Sequence, residues 1–297
     1  MSTPYPREQP AKPRPAAPNA TPGGEPLLAL PYLCPVPAPS DIGISTSAYA
    51  GDLLAPALAR IAELECEAGL APSAEIRSFG LHTLLSSRNR RTAVRAGLDY
   101  TVHGPFGYTG IADVDEGLRL EALDEHHRHL EASAEIGARL YVVHPDWRPA
   151  DGAPRDERVL AALAASFSRL LDLQEEYGVE IVVENMPGAG HSHFTHPGDL
   201  DLQGLGLLLD VGHASISGCL DAWLEDPKAT LRHLHLHSNA GPGDDDDPHL
   251  ALGAGVVDAA AVVAAARAAG ASMVLEHDRD EAVVASLAHL REAGLLT

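Results

Sequence analysis

Leu207-Leu-Leu-Asp-Val-Gly-His-Ala-Ser215 is the stretch of sequence that best indicates how this chain folds. It begins as an apolar run and stops abruptly at Asp210, with His213 three residues later. An apolar run that ends on a carboxylate is typical of a strand buried on both faces, with a polar residue at its C-terminal end. The same pattern recurs five times, at Tyr100–His103, Leu140–His144, Ile181–Glu184, Leu231–His235 and Met273–Glu276.

From about residue 42 to its end, the chain alternates short β-like segments with longer helical patterns, giving eight β-α units. Eight such units close into a barrel, whereas a doubly wound open sheet would place its ligand at one switch point, using one or two strand ends. Ligand-type residues at nearly all the later strand ends favour the barrel. We therefore predict an α/β protein with one (β/α)₈ TIM barrel over residues 39–297, including short helices near Pro197–Leu202 and Leu220–Leu224.

The composition limits the classes of partner. The formal net charge is −21, which argues against a nucleic-acid partner because phosphate binding needs a basic surface, although a local basic patch stays an alternative. No apolar run reaches the roughly 18 residues of a membrane span, and the N-terminus has no signal-peptide pattern. Residues 1–38 are rich in Pro, Ala and Gly, which predicts a disordered tail.

Cysteine usage suggests a compartment. Cys34, Cys66 and Cys219 are far apart in sequence and odd in number. Such spacing indicates neither a disulfide framework nor a Cys-type zinc site. We therefore expect unpaired thiols and a cytoplasmic location.

Nine residues that follow strands have side chains that bind divalent metals. Imidazole and carboxylate together suit Zn²⁺, Mn²⁺, Co²⁺ or Fe²⁺. A single histidine in such a position is ordinarily a structural or surface residue, so it is the repetition from unit to unit that favours a metal site. The nine candidate ligands are His103, His144, Glu184, Asp210, His213, His235, Asp247, His249 and Glu276.

Other polar residues have less definite roles. Asn185 and Trp147 are candidates for binding substrate, the latter by stacking on a sugar ring, with loop packing as its alternative. His237 shares strand parity with His235 and is expected to point inward, towards substrate or as packing. The mid-helix histidines His126, His127 and His129 are expected on a solvated face.

Several motifs together resemble the xylose isomerase-like barrel superfamily, which includes sugar isomerases, sugar epimerases and endonuclease IV. The resemblance covers about residues 42–295. The motifs are His103-Gly-Pro, Val143-His-Pro145, Glu184-Asn185, Asp210-Val-Gly-His213, His235 with Asn239-Ala-Gly241, Asp247-Pro-His249, Leu252-Gly-Ala-Gly255 and Glu276-His.

By this resemblance, Glu184, Asp210, His235 and Glu276 match the single-metal site of ketose epimerases. The two glutamates would then move a proton through an enediolate, and His213 would orient a substrate oxygen. Such chemistry needs a cation, because a carbon acid beside a carbonyl is too weak without stabilisation of the developing oxyanion. The resemblance implies a small sugar, sugar phosphate or related hydroxy-carbonyl compound as substrate. Dimers or tetramers are common among the relatives, so by analogy a homo-oligomer is an open alternative.

The complete set of nine residues also resembles the trinuclear zinc site of endonuclease IV. This second resemblance implies a site for one to three ions. It leaves a phosphodiesterase that acts at abasic DNA as the alternative function. The acidic charge, and Thr46–Tyr49 and Gly80–Thr83 where DNA-contacting residues would stand, argue against it. One departure weighs against a simple ketose epimerase: those enzymes carry a second glutamate where this chain has Gly190. A substrate that is another polyol, a keto acid or a sugar phosphate is therefore an equal alternative. A barrel that only binds a sugar or a metal is the non-enzymatic alternative.

Overall fold

Eight parallel strands pair in chain order, and β1 pairs with β8, so that the sheet closes into a barrel. The structure is a computed structural model, and it describes residues 41–105, 110–146, 156–188, 192, 194–225, 230–243 and 247–296. The strands are β1 Ile42–Ser45, β2 Ser73–Arg77, β3 Asp99–His103, β4 Leu140–Val143, β5 Glu180–Glu184, β6 Gly206–Asp210, β7 Leu231–Leu236 and β8 Ser272–Leu275. The predicted (β/α)₈ TIM barrel is confirmed, whereas the predicted tail lies outside the described residues.

Helices follow the strands on the outside of the barrel. Four of the described helices end at a glycine with positive φ, such as Gly69 after α1 and Gly178 after α4, because glycine adopts the left-handed conformation without steric cost. Within the described part of the chain, no helix is long and apolar enough to cross a membrane. The helices are α1 Leu54–Ala68, α2 Ser87–Ala96, α3 Glu116–Glu135, α4 Glu157–Tyr177, α5 Val211–Ile216, α6 Leu220–Glu225, α7 Ala259–Ala269 and α8 Asp280–Glu292, with 3₁₀ turns at Thr46–Tyr49 and Gly80–His82.

Strand parity divides the core into two layers. A large cluster lies between the strands and the helices, and a small one inside the barrel consists of Leu140, Val142, Val182 and Leu208. Residues two positions further along these inward-facing rows are His144, Glu184 and Asp210. The alternation that builds the apolar interior therefore also directs ligand-type side chains to the mouth of the barrel.

Two local expectations were wrong, and one short helix was not predicted. The predicted helix near Pro197–Leu202 is a turn, because the Asp199 carboxylate accepts the backbone N–H groups of Thr195 and His196 instead. A six-residue helix, α5, begins directly after β6 and had not been expected; the Asp210 side chain caps it by accepting from His213 N. Cys66 is disulfide-bonded rather than an unpaired thiol, while Cys219 is free and buried.

Candidate metal centre

Four residues from four strands of the barrel meet at its mouth. Glu184 ends β5, Asp210 ends β6, His235 lies in β7 and Glu276 directly follows β8. One ligand atom of each lies within 4.8 Å of all the others, and all four residues are buried. The strand ends thus bring together residues that are far apart in sequence, as the active-site face of a TIM barrel does.

The ring nitrogen Nδ1 of His235 is the centre of this four-residue group. It lies 2.8 Å from Glu276 Oε2, 3.4 Å from Glu184 Oε1 and 3.5 Å from Asp210 Oδ2. Nevertheless Nδ1 makes no well-aligned hydrogen bond to any residue that the structure describes. One imidazole edge facing three carboxylates is the arrangement that a cation between them would complete.

The electrostatics of the group point the same way. Burial by itself raises the pKa of Glu184, but the charges of His144 and His235 outweigh it and hold the pKa well below its usual value. Burial likewise opposes ionisation of Glu276, yet chiefly His235 lowers its pKa to about 2. Buried carboxylates that stay ionised need positive charge beside them. The donor set of one imidazole and three carboxylates therefore fits a divalent cation of the Zn²⁺ or Mn²⁺ kind.

His103 and His144 form a second group with Glu184. His103 donates its Nδ1–H to the carbonyl of Gly104 at 2.8 Å, which leaves Nε2 directed at Glu184 Oε2, 3.3 Å away. His144 Nε2 lies 3.0 Å from the same oxygen. A backbone carbonyl that takes the other ring proton is the usual way of holding a ligating histidine in its binding tautomer.

His213 joins the next group, with Asp210 and Asp247. It donates Nδ1–H to the carbonyl of Asn185 at 2.8 Å, and its Nε2 lies 3.7 Å from Asp247 Oδ2. This is the same tautomer arrangement as in His103.

His249 completes a further group with Asp247 and His237. Its backbone has φ +43°, a left-handed conformation that is uncommon for a residue with a side chain and is concentrated at functional sites. His277 supports it by donating Nδ1–H to the His249 carbonyl at 3.0 Å. The structure thus brings all nine predicted ligands into contiguous groups at one face.

The predicted substrate-binding residues are placed as follows. Asn185 is fully buried, donating to the carbonyl of Asp210 at 3.1 Å and accepting from its N–H at 2.7 Å, so it fixes β5 against β6. His237 is fully buried beside Asp210, and its Nε2 lies 3.0 Å from Asp210 Oδ1. Burial by itself lowers the pKa of His237, but the charges of Asp210 and Asp247 outweigh burial and raise the pKa to about 9. Trp147 lies outside the described residues. Substrate contact by these three residues stays a prediction.

The motif Asp210-Val-Gly-His213 has a steric reason for its glycine. A Cβ on Gly212 would lie 1.9 Å from Cε1 of His237. Only a residue without a side chain lets the His237 ring pack against α5 and reach Asp210.

Sequence reasoning missed Glu75, which is buried in the barrel interior beneath the four-residue group. Its Oε1 lies 3.1 Å from Nε2 of His235. The sequence signal that could have identified it is an acidic residue between two apolar ones, Ala74 and Ile76, which places Glu75 on the inward-facing side of β2. The sequence pattern predicts ligands at strand ends, whereas Glu75 lies in the middle of its strand.

This chain belongs to the xylose isomerase-like TIM barrel family, whose model matches residues 72–293. Two curated relatives come from Methanocaldococcus jannaschii. Uncharacterized protein MJ1614 is 30% identical over 154 residues, covering 51% of this chain and 61% of the relative. Uncharacterized protein MJ1311 is 26% identical over 187 residues, covering 59% and 62%. This chain thus spans about three fifths of the length of these two relatives.

Solved structures share the fold over nearly their whole length. The D-tagatose 3-epimerase-like protein superposes with a TM-score of 0.72 at 25% identity, covering 84% of this chain and 96% of its own. The 3-keto-D-glucoside 4-epimerase YcjR from E. coli superposes with a TM-score of 0.68 at 24% identity, covering 85% and 99%. At such identities the likeness establishes the architecture, and the activity has to be argued from the site.

Proposed function

We propose that this protein isomerises or epimerises a small sugar or related hydroxy-carbonyl compound, with a divalent cation held by Glu184, Asp210, His235 and Glu276. The observation that carries the proposal is the position of the two glutamates, both within 3.4 Å of the same ring nitrogen of His235. They come from β5 and β8, so they approach the centre of the group from different sides of the barrel. The D-tagatose 3-epimerase-like protein of the same fold supports this class of reaction.

The residues divide the chemistry between them. A bound cation would act as a Lewis acid on the substrate carbonyl and its neighbouring hydroxyl. Glu184, held as the carboxylate, takes the proton from the carbon beside the carbonyl. Glu276 is also ionised before the reaction, so it first takes up a proton from solvent or from the substrate hydroxyl and then returns that proton to the carbon from its own side of the barrel. His213, whose ring is oriented by the Asn185 carbonyl, holds a substrate oxygen.

Proton exchange with solvent tests this assignment. We expect the metal-loaded protein to incorporate deuterium from D₂O beside the carbonyl of a ketose substrate, found by NMR in a panel that includes D-tagatose and D-fructose. Glu184→Gln should abolish the exchange, because an amide cannot take the proton. The matched control is Glu180→Gln on the same strand, whose carboxylate is half-exposed and pairs with Arg232; it should exchange normally. Retained exchange in Glu184→Gln means that Glu184 is not the base.

A second candidate function is favoured by the additional ligand groups. His103 with His144, and Asp247 with His213 and His249, lie in groups of the spacing needed to hold further ions. Several metals together generate a hydroxide and stabilise an in-line phosphate displacement, which is phosphodiesterase chemistry. The net charge of −21 argues against a DNA substrate.

Metal content and a cleavage assay separate the two candidates. We expect about one tightly bound divalent ion per chain and no cleavage of abasic duplex DNA. Three zinc ions per chain together with cleavage would replace the isomerase proposal by the phosphodiesterase. The cytoplasmic location and the oligomeric state remain predictions.

A further inference from the structure

We propose that Glu75 positions the metal ligand His235 from inside the barrel and fixes which of its two ring nitrogens binds the cation. This inference rests on the proposed metal site. Glu75 touches none of the other three residues of that site in the described contacts, so its role is one of positioning, through His235.

The two ring nitrogens of His235 face opposite environments. Nδ1 faces Glu184, Asp210 and Glu276 at the mouth, whereas Nε2 points into the barrel, 3.1 Å from Glu75 Oε1. Neither Nε2 nor Oε1 makes a well-aligned hydrogen bond in the described part of the chain, and this includes the 3.1 Å contact between the two atoms. Each atom is therefore the polar partner that the other has within reach.

The surroundings of Glu75 make it an acceptor only. Its Oε2 accepts from Thr101 Oγ1 at 3.2 Å and lies 3.2 Å from Nε2 of His233. His233 in turn contacts Ser272 Oγ through Nδ1 at 2.7 Å. A carboxylate that accepts from a hydroxyl and lies beside two imidazole nitrogens is stabilised as the anion by N–H groups, so we place the ring proton of His235 on Nε2. The lone pair of His235 is then on Nδ1, facing the mouth.

The position of Glu75 in the barrel needs such an explanation. The apolar cluster inside the barrel consists of Leu140, Val142, Val182 and Leu208, whereas the surroundings of Glu75 are polar. A buried carboxylate lowers stability unless donors satisfy it, and here the donors lead directly to a metal ligand. Partners of this kind orient ligating histidines and raise their basicity.

Glu75, His233 and His235 also lie close enough together to hold an ion of their own. That arrangement would require His235 to bind one cation through each ring nitrogen, which means losing both ring protons. The donor-rich surroundings of Glu75 favour a proton on Nε2 instead. The two arrangements differ in whether that proton exists.

Metal affinity of the full chain tests the proposal. Zn²⁺ and Mn²⁺ would be titrated into metal-free protein in competition with a chromophoric chelator. We expect Glu75→Gln to bind about 10- to 100-fold more weakly than wild type, as loss of an outer partner of a ligating histidine does. The matched control is Glu65→Gln, a second fully buried glutamate, which accepts from Ser73 N on the outside of the barrel. It should bind like wild type.

Three results overturn the proposal in different ways. Equal affinity of wild type and Glu75→Gln removes the role of Glu75 and leaves the metal site intact. Failure of wild type to bind either metal removes the proposed function together with this inference. If Glu65→Gln loses as much metal affinity as Glu75→Gln, the loss reflects general stability, and the proposal is also overturned.

A spectroscopic measurement does not depend on the folding of Glu75→Gln. In zinc-loaded wild-type protein with ¹⁵N-labelled histidine, the signals of His235 are identified by their loss in His235→Gln. We expect a proton on Nε2 and a metal-shifted Nδ1. Coordination through Nε2, or an Nε2 without a proton, contradicts the assignment.

Discussion

Two sets of buried histidines in this barrel behave in opposite ways. His103 and His235 lie at strand ends and face carboxylates, whereas His126 and His129 lie on α3 and face hydroxyls. His126 Nδ1 is 3.0 Å from the Tyr141 hydroxyl, and His129 Nδ1 is 2.8 Å from Ser78 Oγ. The α3 pair had been expected on a solvated face; the structure buries both, which corrects that expectation.

The difference shows in the pKa values. Burial lowers the pKa of His126 to about 3, aided by the nearby imidazoles, and burial lowers that of His129 to about 4. Burial acts on His235 too, but Glu276, Glu75 and Glu184 raise its pKa well above the usual value. Burial therefore does not define a ligand; the groups that face the ring do. A neutral imidazole with one hydrogen bond is inexpensive to bury and serves as packing.

The largest expected effect is the loss of metal affinity when His235, the central residue of the strand-end set, is replaced. His235→Gln removes the nitrogen that faces three carboxylates, so we expect divalent-metal affinity to fall by more than the ~10- to 100-fold typical of losing an outer partner. Isothermal titration of the metal-free protein measures this. His126→Gln is the matched control, an identical substitution of a buried histidine, and should bind metal normally. If both variants lose affinity alike, the distinction between the two sets is lost.

Metal removal should also separate the two sets. A ligand at about 100 times its Kd stabilises the folded state by ~2.7 kcal/mol. We expect chelation to lower the melting temperature of wild type and of His126→Gln similarly, and that of His235→Gln hardly at all. A chelator that shifts His235→Gln as much as wild type would place the stabilising ion elsewhere.

Acid should destabilise the protein through His126. Its folded pKa of about 3 lies below the unfolded value of about 6.5, so the unfolded chain binds the proton first. Stability is therefore fully present above the unfolded pKa and is lost as pH falls from 6.5 towards 3. Each pH unit removes ~1.4 kcal/mol, or about 2 kcal/mol by pH 5.

The variant His126→Gln, which keeps a polar partner for Tyr141, tests the acid effect. Urea unfolding between pH 7 and pH 5 should show a pH slope smaller by that amount than in wild type. His127→Gln, one position along α3 and bonded to Tyr177, is the control that should retain the wild-type slope. An unchanged slope in His126→Gln would show that His126 binds its proton at the same pH in the folded and the unfolded state.

The remaining effect concerns the hydroxyl that faces His129. Ser78 is buried, and its oxygen accepts from Leu84 N at 2.8 Å as well as contacting His129. Ser78→Ala should lower the free energy of unfolding by about 1–3 kcal/mol, since buried polar groups lose their partner. Metal affinity should stay at the wild-type value. A loss of metal affinity without loss of stability would connect α3 to the metal site.

The sequence alone predicted the barrel and the nine candidate ligands that the structure gathers at one face, because strand parity and an abrupt apolar end are local properties of the chain. Asp210 and Glu184 could be identified in that way. A turn is found where the sequence predicts a helix near Pro197–Leu202, because the Asp199 carboxylate accepts the backbone N–H groups of Thr195 and His196. A short polar side chain of this kind competes with the helical hydrogen bonds over a few residues.

Only the tertiary structure decided which face each polar side chain meets. Glu75 became a partner of His235 because β2 and β7 contribute inward rows to the same closed interior, although 160 residues of sequence separate them. His126 became a packing residue because the Tyr141 hydroxyl reaches it from β4. Such contacts depend on the closure of the sheet, and closure leaves no trace in the local pattern of either strand.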